Sequence, residues 1–222
     1  MGNLNTEETS VPQDLLAEFS SAVTAHQPEL MVTSDKNLVL LEGKFIISAS
    51  EGPFDTYDIQ AMVPPAFPLE EPAVFETGGR IPKVVARHVF EDLGNCCLGV
   101  WEEWLLRSHD TSAAAFLAGP LHDYFLSQSY YEAKGEWPFG QRSHGNLGVL
   151  EAYCDVLGID PDLSKARAHL SLLSKKSVKG HAMCPCGSGL RLRHCHRDKI
   201  DELRARISSA IAKRMLLKLA DD

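Results

Sequence analysis

Asp58-Ile59-Gln60-Ala61-Met62-Val63-Pro64-Pro65-Ala66-Phe67-Pro68-Leu69-Glu70-Glu71-Pro72-Ala73-Val74-Phe75-Glu76-Thr77 is the stretch on which the fold reading turns. Its first part reads as a strand, with Tyr57, Ile59, Ala61 and Val63 on one face. Four prolines then fall within the nine residues 64–72, which no helix interior or central strand accommodates. A stiff loop between two strands satisfies both facts, and Ala73–Glu76 supplies the second strand. Upstream, Leu38–Leu41 and Phe45–Ser50 read as further strands, with Gly43 and Gly52-Pro53 as turns. Before them, Leu15, Leu16, Phe19, Ala22 and Val23 recur at helical spacing between Pro12 and His26, and Pro28 closes the segment.

Downstream, residues 78–100 lack periodicity and read as an extended loop holding Gly94-Asn95-Cys96-Cys97-Leu98-Gly99. Helical patterns return at Trp101–Leu106, Ala113–Gln128, Gly148–Leu157 and Leu163–Leu173. Ser174–Gly180 is polar and Lys-rich, like a linker, and Ile200–Leu219 reads as one last amphipathic helix. The expected organisation is a flexible N-terminus at 1–11, an α+β domain with a helical extension at 12–173, and a metal-binding tail at 174–222.

Composition limits the function classes. The 222 residues carry a net charge of −8, unevenly: residues 1–164 hold 8 basic and 25 acidic side chains, residues 165–222 hold 14 and 5. That step suggests two modules with different surfaces, or two solvated faces that attract each other. The basic tail (Lys175, Lys176, Lys179, Arg191, Arg193, Arg197) lacks aromatic interleaving in an acidic chain, so an acidic protein surface is a better partner than nucleic acid. No apolar run is long enough for a membrane span and no signal peptide is visible, so the expected compartment is the cytoplasm. The start Met1-Gly2-Asn3-Leu4-Asn5-Thr6 fits a myristoylation pattern that is short and common by chance. No Gly-rich loop followed by Lys-Ser/Thr is present, so adenylation of a substrate by this chain is not expected.

The six cysteines fall into a pair (Cys96, Cys97), a singleton (Cys154) and a cluster (Cys184, Cys186, Cys195), a distribution that suits reactivity and metal binding rather than disulfides. Cys184-Pro185-Cys186-Gly187-Ser188-Gly189 followed by His194-Cys195-His196 offers three thiolates and an imidazole, the ligand set of a closed structural zinc site. Cys184, Cys186, Cys195 and His196 are the expected ligands, with His181 and His194 as neighbours. The pattern resembles the SEC-C motif, the zinc knuckle named after the C-terminus of the SecA translocation ATPase. Cys154 sits in an apolar helical pattern and reads as an inert core thiol, as Trp101 and Trp104 read as core tryptophans.

Residues 58–77, with Gly94-Asn95-Cys96-Cys97-Leu98 twenty residues beyond them, resemble the ubiquitin-conjugating enzymes. In that family an apolar strand enters an aromatic-Pro turn, a Val-x-Phe-x-Thr strand follows, and Gly-x-x-Cys-Leu carries the active cysteine ahead of a tryptophan and a helix. The resemblance covers roughly residues 12–130 and implies an antiparallel meander sheet with flanking helices. It also implies Cys97 as the thioester-forming nucleophile and Cys96 at a normally apolar position. The plain alternative for Cys97 is a structural cysteine beside a core tryptophan.

Where the eukaryotic family has His-Pro-Asn, this chain has Arg87-His88-Val89-Phe90. His88 could then replace the oxyanion-stabilising asparagine, or be an ordinary loop histidine, and Asn95 is a weaker candidate for the same duty. Glu91, Asp92, Glu102 and Glu103 disfavour a thiolate but could accept a proton from an attacking amine. Loss of the asparagine is similar to bacterial relatives. Among these the layout resembles the stand-alone conjugating-enzyme-like proteins of short type II CBASS antiphage operons. That resemblance implies a cGAS/DncV-like nucleotidyltransferase whose C-terminus is the donor, conjugated to an unidentified acceptor. The competing expectation is a non-catalytic adaptor that docks a partner through the same fold and the zinc knuckle.

Overall fold

Strand β2 (Leu38–Ala49) runs straight through Gly43, where the sequence suggests a turn. The computed structural model describes residues 12–49, 52–140 and 142–219, so the expected flexible segment 1–11 lies outside the described residues. Gly43 has φ +132°, and a Cβ there would collide with the Glu29 carbonyl oxygen. That same carbonyl accepts from the Lys44 N–H at 3.2 Å. The glycine therefore lets the chain entering the sheet pass close to β2 without ending the strand.

Strands β1 (Leu30–Asp35), β2, β3 (Gly52–Val63) and β4 (Ala73–Glu76) form one antiparallel sheet in sequence order. The sequence reading misses β1, and its burial explains why. Only Leu30 is buried and Met31 is largely exposed, so this edge strand is held by backbone pairing and shows no apolar alternation. The other strands alternate as expected, and Val39, Leu41, Phe45, Ile47, Tyr57, Ile59, Ala61, Val63 and Val74 are all buried.

The chain gathers into two compact units. The first holds the described residues up to Gly99 together with Asp110–Gly140. In it, helix α1 (Gln13–His26), the short α3 (Ala113–Phe116) and α4 (His122–Lys134) supply the aromatic core. Phe19 meets Phe67 at 5.2 Å and Phe116 at 6.3 Å between ring centroids, and Phe125 meets Tyr57 at 4.8 Å. Each such fully buried ring contributes roughly 1.5–3 kcal/mol by area removed from water. The proline loop is tied down through Phe67, whose N–H bonds the Pro64 carbonyl at 3.0 Å. Between α3 and α4 the helix widens over Leu117–Leu121, where Gly119 is non-helical and Pro120 lacks an N–H to donate. The single helix expected over Ala113–Gln128 is thereby divided.

The second unit holds Val100–His109 and the described residues after Gly140. It is helical: α2 (Trp101–Arg107), α5 (Asn146–Leu157), α6 (Leu163–Leu173), α7 (Arg197–Arg206) and α8 (Ser209–Lys218). The described residues 142–173, which the sequence attaches to the sheet domain, make their contacts here with the cysteine-rich tail. Trp101 is buried in this unit, its ring 4.5 Å from that of Trp104. The expected helix Ile200–Leu219 is two helices. Ile207 is extended, and the Ser208 hydroxyl accepts from the Ile211 N–H at 3.3 Å to start α8. Ile207 is buried all the same, which is why the apolar period passes through the break unnoticed.

Glu102 is the polar anchor of this unit. It is 1% exposed and receives Lys218 Nζ at 2.9 Å, Arg214 Nε at 3.2 Å and the Tyr153 hydroxyl at 3.2 Å. Burial opposes its charge, but Lys218 and then Arg214 outweigh it and hold the carboxyl below the ordinary value. A depressed folded-state pKa means the stability is present above the unfolded carboxylate value and is lost as pH falls through the lower folded value. Glu102→Gln is expected to destabilise the protein by about 2–3 kcal/mol at neutral pH, because two cations lose their buried partner. Denaturant melts should show that deficit shrinking below about pH 4. An unchanged midpoint at neutral pH would contradict the anchoring role.

Candidate functional site

The cysteine-rich hairpin is built by two short arms. Ala182–Cys184 pairs with Leu190–Leu192: Cys184 N–H bonds the Leu190 carbonyl and Leu192 N–H the Ala182 carbonyl, both at 2.8 Å. Between them Gly187 (φ +85°) and Gly189 (φ +75°) take the left-handed conformation that turns the chain back. This brings together the four residues expected as ligands. One donor atom from each of Cys184, Cys186, Cys195 and His196 lies within 4.8 Å of the others.

The spacing fits a metal ion. Cys186 and Cys195 Sγ are 3.5 Å apart, and His196 Nδ1 lies 3.3 Å from Cys184 Sγ and 3.1 Å from Cys195 Sγ. Ligands about 2.0–2.3 Å from a tetrahedral centre would stand about 3.3–3.8 Å from one another. His196 Nε2 lies 3.2 Å from the Gly158 carbonyl at the end of α5, which selects the tautomer with Nδ1 free to ligate. Burial opposes ionisation of the Cys186 thiol, yet hydrogen bonds from Ser188 and then from Cys184 and Cys195 bring it down to about 6. With all four positions supplied by protein, the arrangement could hold a tetrahedral ion and would leave no coordination site for substrate.

Sequence reasoning misses His169. This α6 residue is fully buried, its Nδ1 is 2.7 Å from the Lys165 carbonyl and its Nε2 is 4.0 Å from Cys184 Sγ. The available signal was a histidine in the apolar stripe Ala166-Leu170-Leu173, which reads as core until the cysteine hairpin packs over it. His181 and His194 are outside the cluster, and His194 Nε2 instead accepts from Arg193 Nε.

The second candidate lies in the sheet unit. After β4 the chain makes a short turn at Val85–Arg87, enters the left-handed conformation at His88 (φ +51°, ψ +48°), and doubles back through Phe90–Asn95. Cys96 N–H bonds the Val74 carbonyl of β4 at 2.7 Å, and Cys97 N–H bonds the His88 carbonyl at 2.8 Å. His88 and Cys97 are thus neighbours through their backbones. Asn95 pairs its carbonyl with Phe90 N–H, while its side-chain Oδ1 is buried without a hydrogen-bond donor. Glu102 and Glu103, expected as acidic neighbours of the cysteine, belong to α2 of the other unit.

Adjacent residues on extended chain point to opposite sides, and the two thiols differ accordingly. Cys96 is 3% exposed, bonded to the Tyr124 hydroxyl, and burial pushes its thiol up to about 11. Cys97 is the more accessible of the pair. Its thiol is also raised, first by burial and further by Glu71, against a hydrogen bond from the Gly99 N–H. Alkylation of Cys97 by iodoacetamide should therefore keep accelerating beyond about pH 9, the trend of a thiol above its ordinary value. A plateau below about pH 8 would show a thiolate already stabilised at rest.

Residues 182–198 match the family model of the SEC-C motif. Comparison with curated proteins finds no match to the chain, and comparison with solved structures finds none. Among the described residues no helix is long and apolar enough to cross a membrane.

Proposed function

We propose that the chain is a cysteine-dependent acyl transferase of the ubiquitin-conjugating kind, with Cys97 as carrier and His88 as oxyanion donor. The observation that carries this reading is the placement of Cys97. It sits on an extended segment bonded to the last strand of a four-stranded meander, the more accessible of two adjacent thiols and paired with the His88 turn. In the proposed step the Cys97 sulfur attacks the activated carbonyl of a protein C-terminus. The C–S bond forms, the activating group leaves with its electron pair, and the thiol proton passes to solvent or to that group. An acceptor amine then attacks, the C–N bond forms, the C–S bond breaks with the electron pair leaving on sulfur, and a proton lost by the amine regenerates the Cys97 thiol.

The expected donor is the C-terminus of a cGAS/DncV-like nucleotidyltransferase, primed in this way for second-messenger synthesis in bacterial antiphage defence. The Cys184, Cys186, Cys195 and His196 cluster would hold zinc as a structural ion, since three thiolates and an imidazole favour it over hard cations. A second reading, the adaptor, is favoured by the upward shift of the Cys97 thiol, which an inert structural cysteine also shows. Cys97→Ala separates the two: transfer activity is lost if Cys97 carries the acyl group, and partner binding alone persists if the fold is an adaptor.

A further inference from the structure

His169 stands on the buried face of α6 with Ala166, Leu170 and Leu173, an apolar stripe in which an imidazole needs a partner for each ring nitrogen. One partner is plain. The Lys165 carbonyl, 2.7 Å from Nδ1, can only accept, so Nδ1 carries the proton and Nε2 presents its lone pair. That lone pair faces Cys184 Sγ at 4.0 Å. A Cys184 thiol could donate to it, but a metal-bound thiolate has no proton to give. Once the cluster holds an ion, Nε2 is a fully buried acceptor with no donor, and such an atom asks for a partner of another kind.

The ring also has the setting of a ligand. Metal-binding histidines commonly donate the far ring N–H to a backbone carbonyl, which fixes the tautomer and aims the other nitrogen at the ion. His196 is placed in this way by Gly158, and His169 by Lys165 over a shorter bond. The two rings lie 5.1 Å apart at 74°, and both reach toward Cys184. Neighbouring ligands of a tetrahedral ion stand about 3.3–3.8 Å apart. His196 Nδ1, 3.3 Å from Cys184 Sγ, already meets that spacing, and His169 Nε2 falls short of it by a few tenths of an ångström. His169 is outside the four donors that converge within 4.8 Å, so the two imidazoles compete for one position rather than share the ion.

We infer that His169 is an alternative ligand for the ion, taking the fourth position through Nε2 when His196 gives it up. This rests on the four-donor cluster holding an ion and not on the reading of Cys97. Three sulfurs and one nitrogen are kept in either arrangement. The fourth bond ties the ion to the start of α7 through His196, or to the inner face of α6 through His169.

The test uses the full chain with nitrogen-15 histidine, loaded with cadmium-113. Cadmium takes the same sulfur and nitrogen donors, and its scalar coupling marks each nitrogen bonded to it. Wild type should show coupling to His196 Nδ1. His196→Ala should still bind cadmium and show coupling to His169 Nε2, with affinity within about a hundredfold of wild type, the range for disturbing a ligand's support. Adding His169→Ala should abolish the nitrogen coupling and weaken binding well beyond that range. His196→Gln leaves an amide to donate to the Gly158 carbonyl and should give the same result as the alanine variant, should that variant fold poorly. The inference is overturned if the His196 variants bind cadmium without nitrogen coupling, or lose the ion as fully as the double variant does. His169 would then do no more than pack against Cys184. Wild-type protein that binds no cadmium would overturn the reading of the cluster as a metal site, and the inference with it.

Discussion

Removal of the zinc proposed for the four-donor cluster, or Cys184→Ser, is expected to unfold the region around the cysteine hairpin. Between Lys179 and His196 the buried side chains are Cys184 and Leu192 alone, with Met183 and Leu190 exposed, so apolar burial cannot hold this segment in one conformation. Its order rests on a few backbone hydrogen bonds, two left-handed glycines and the four converging donors. In small metallo-domains of this kind the metal supplies about 10–16 kcal/mol, far more than the remaining contacts here could replace. Titration with a strong chelator should release about one equivalent of zinc per chain. Hydrogen exchange should then lose protection across 182–196, while β2 and β3 keep theirs. Cys184→Ser should copy the chelated state. Full protection of 182–196 in metal-free protein would contradict the structural role.

Cys97→Ala is expected to abolish acyl transfer, and Cys96→Ala to spare it. If Cys97 is the carrier, the first change removes the atom that forms the bond, for which no neighbouring group substitutes. Cys96 is closed off by burial and faces Tyr124, so its removal deletes a small buried group at a cost of about 1 kcal/mol while leaving transfer intact. The contrast matters more than either variant alone. Equal loss in both would mean that the pair acts through packing, and retained activity in Cys97→Ala would favour the adaptor.

Much of this was legible in the residues. The proline loop, β3, β4 and α1 follow from periodicity and punctuation, because their side chains alternate between core and solvent as the patterns require. The four metal-ligand candidates were legible because ligation fixes residue type and spacing together. What escaped was whatever side-chain hydropathy does not encode. β1 is held by backbone bonds at an edge, and Gly43 serves a close approach rather than a turn. The α7–α8 break keeps Ile207 buried immediately before the Ser208 cap. The contacts of Gln128 and Trp137 with the Arg87-His88 turn join residues about forty positions apart or more. No local pattern could have announced them. The left-handed backbone at His88 was not legible either.

The central claim is that Cys97 carries an acyl group, and intact mass under non-reducing conditions tests it most directly. The tagged protein would be recovered from its native operon, wild type beside Cys97→Ala, and denatured without thiols. The account predicts a higher-mass species in the wild type that thiol reductant and neutral hydroxylamine both remove, and that the Cys97→Ala protein lacks. Its mass should equal this chain plus a nucleotidyltransferase, less one water. The same non-covalent partner recovered with both proteins, and no covalent species in either, would contradict the account and leave Cys97 as a structural residue of a binding module.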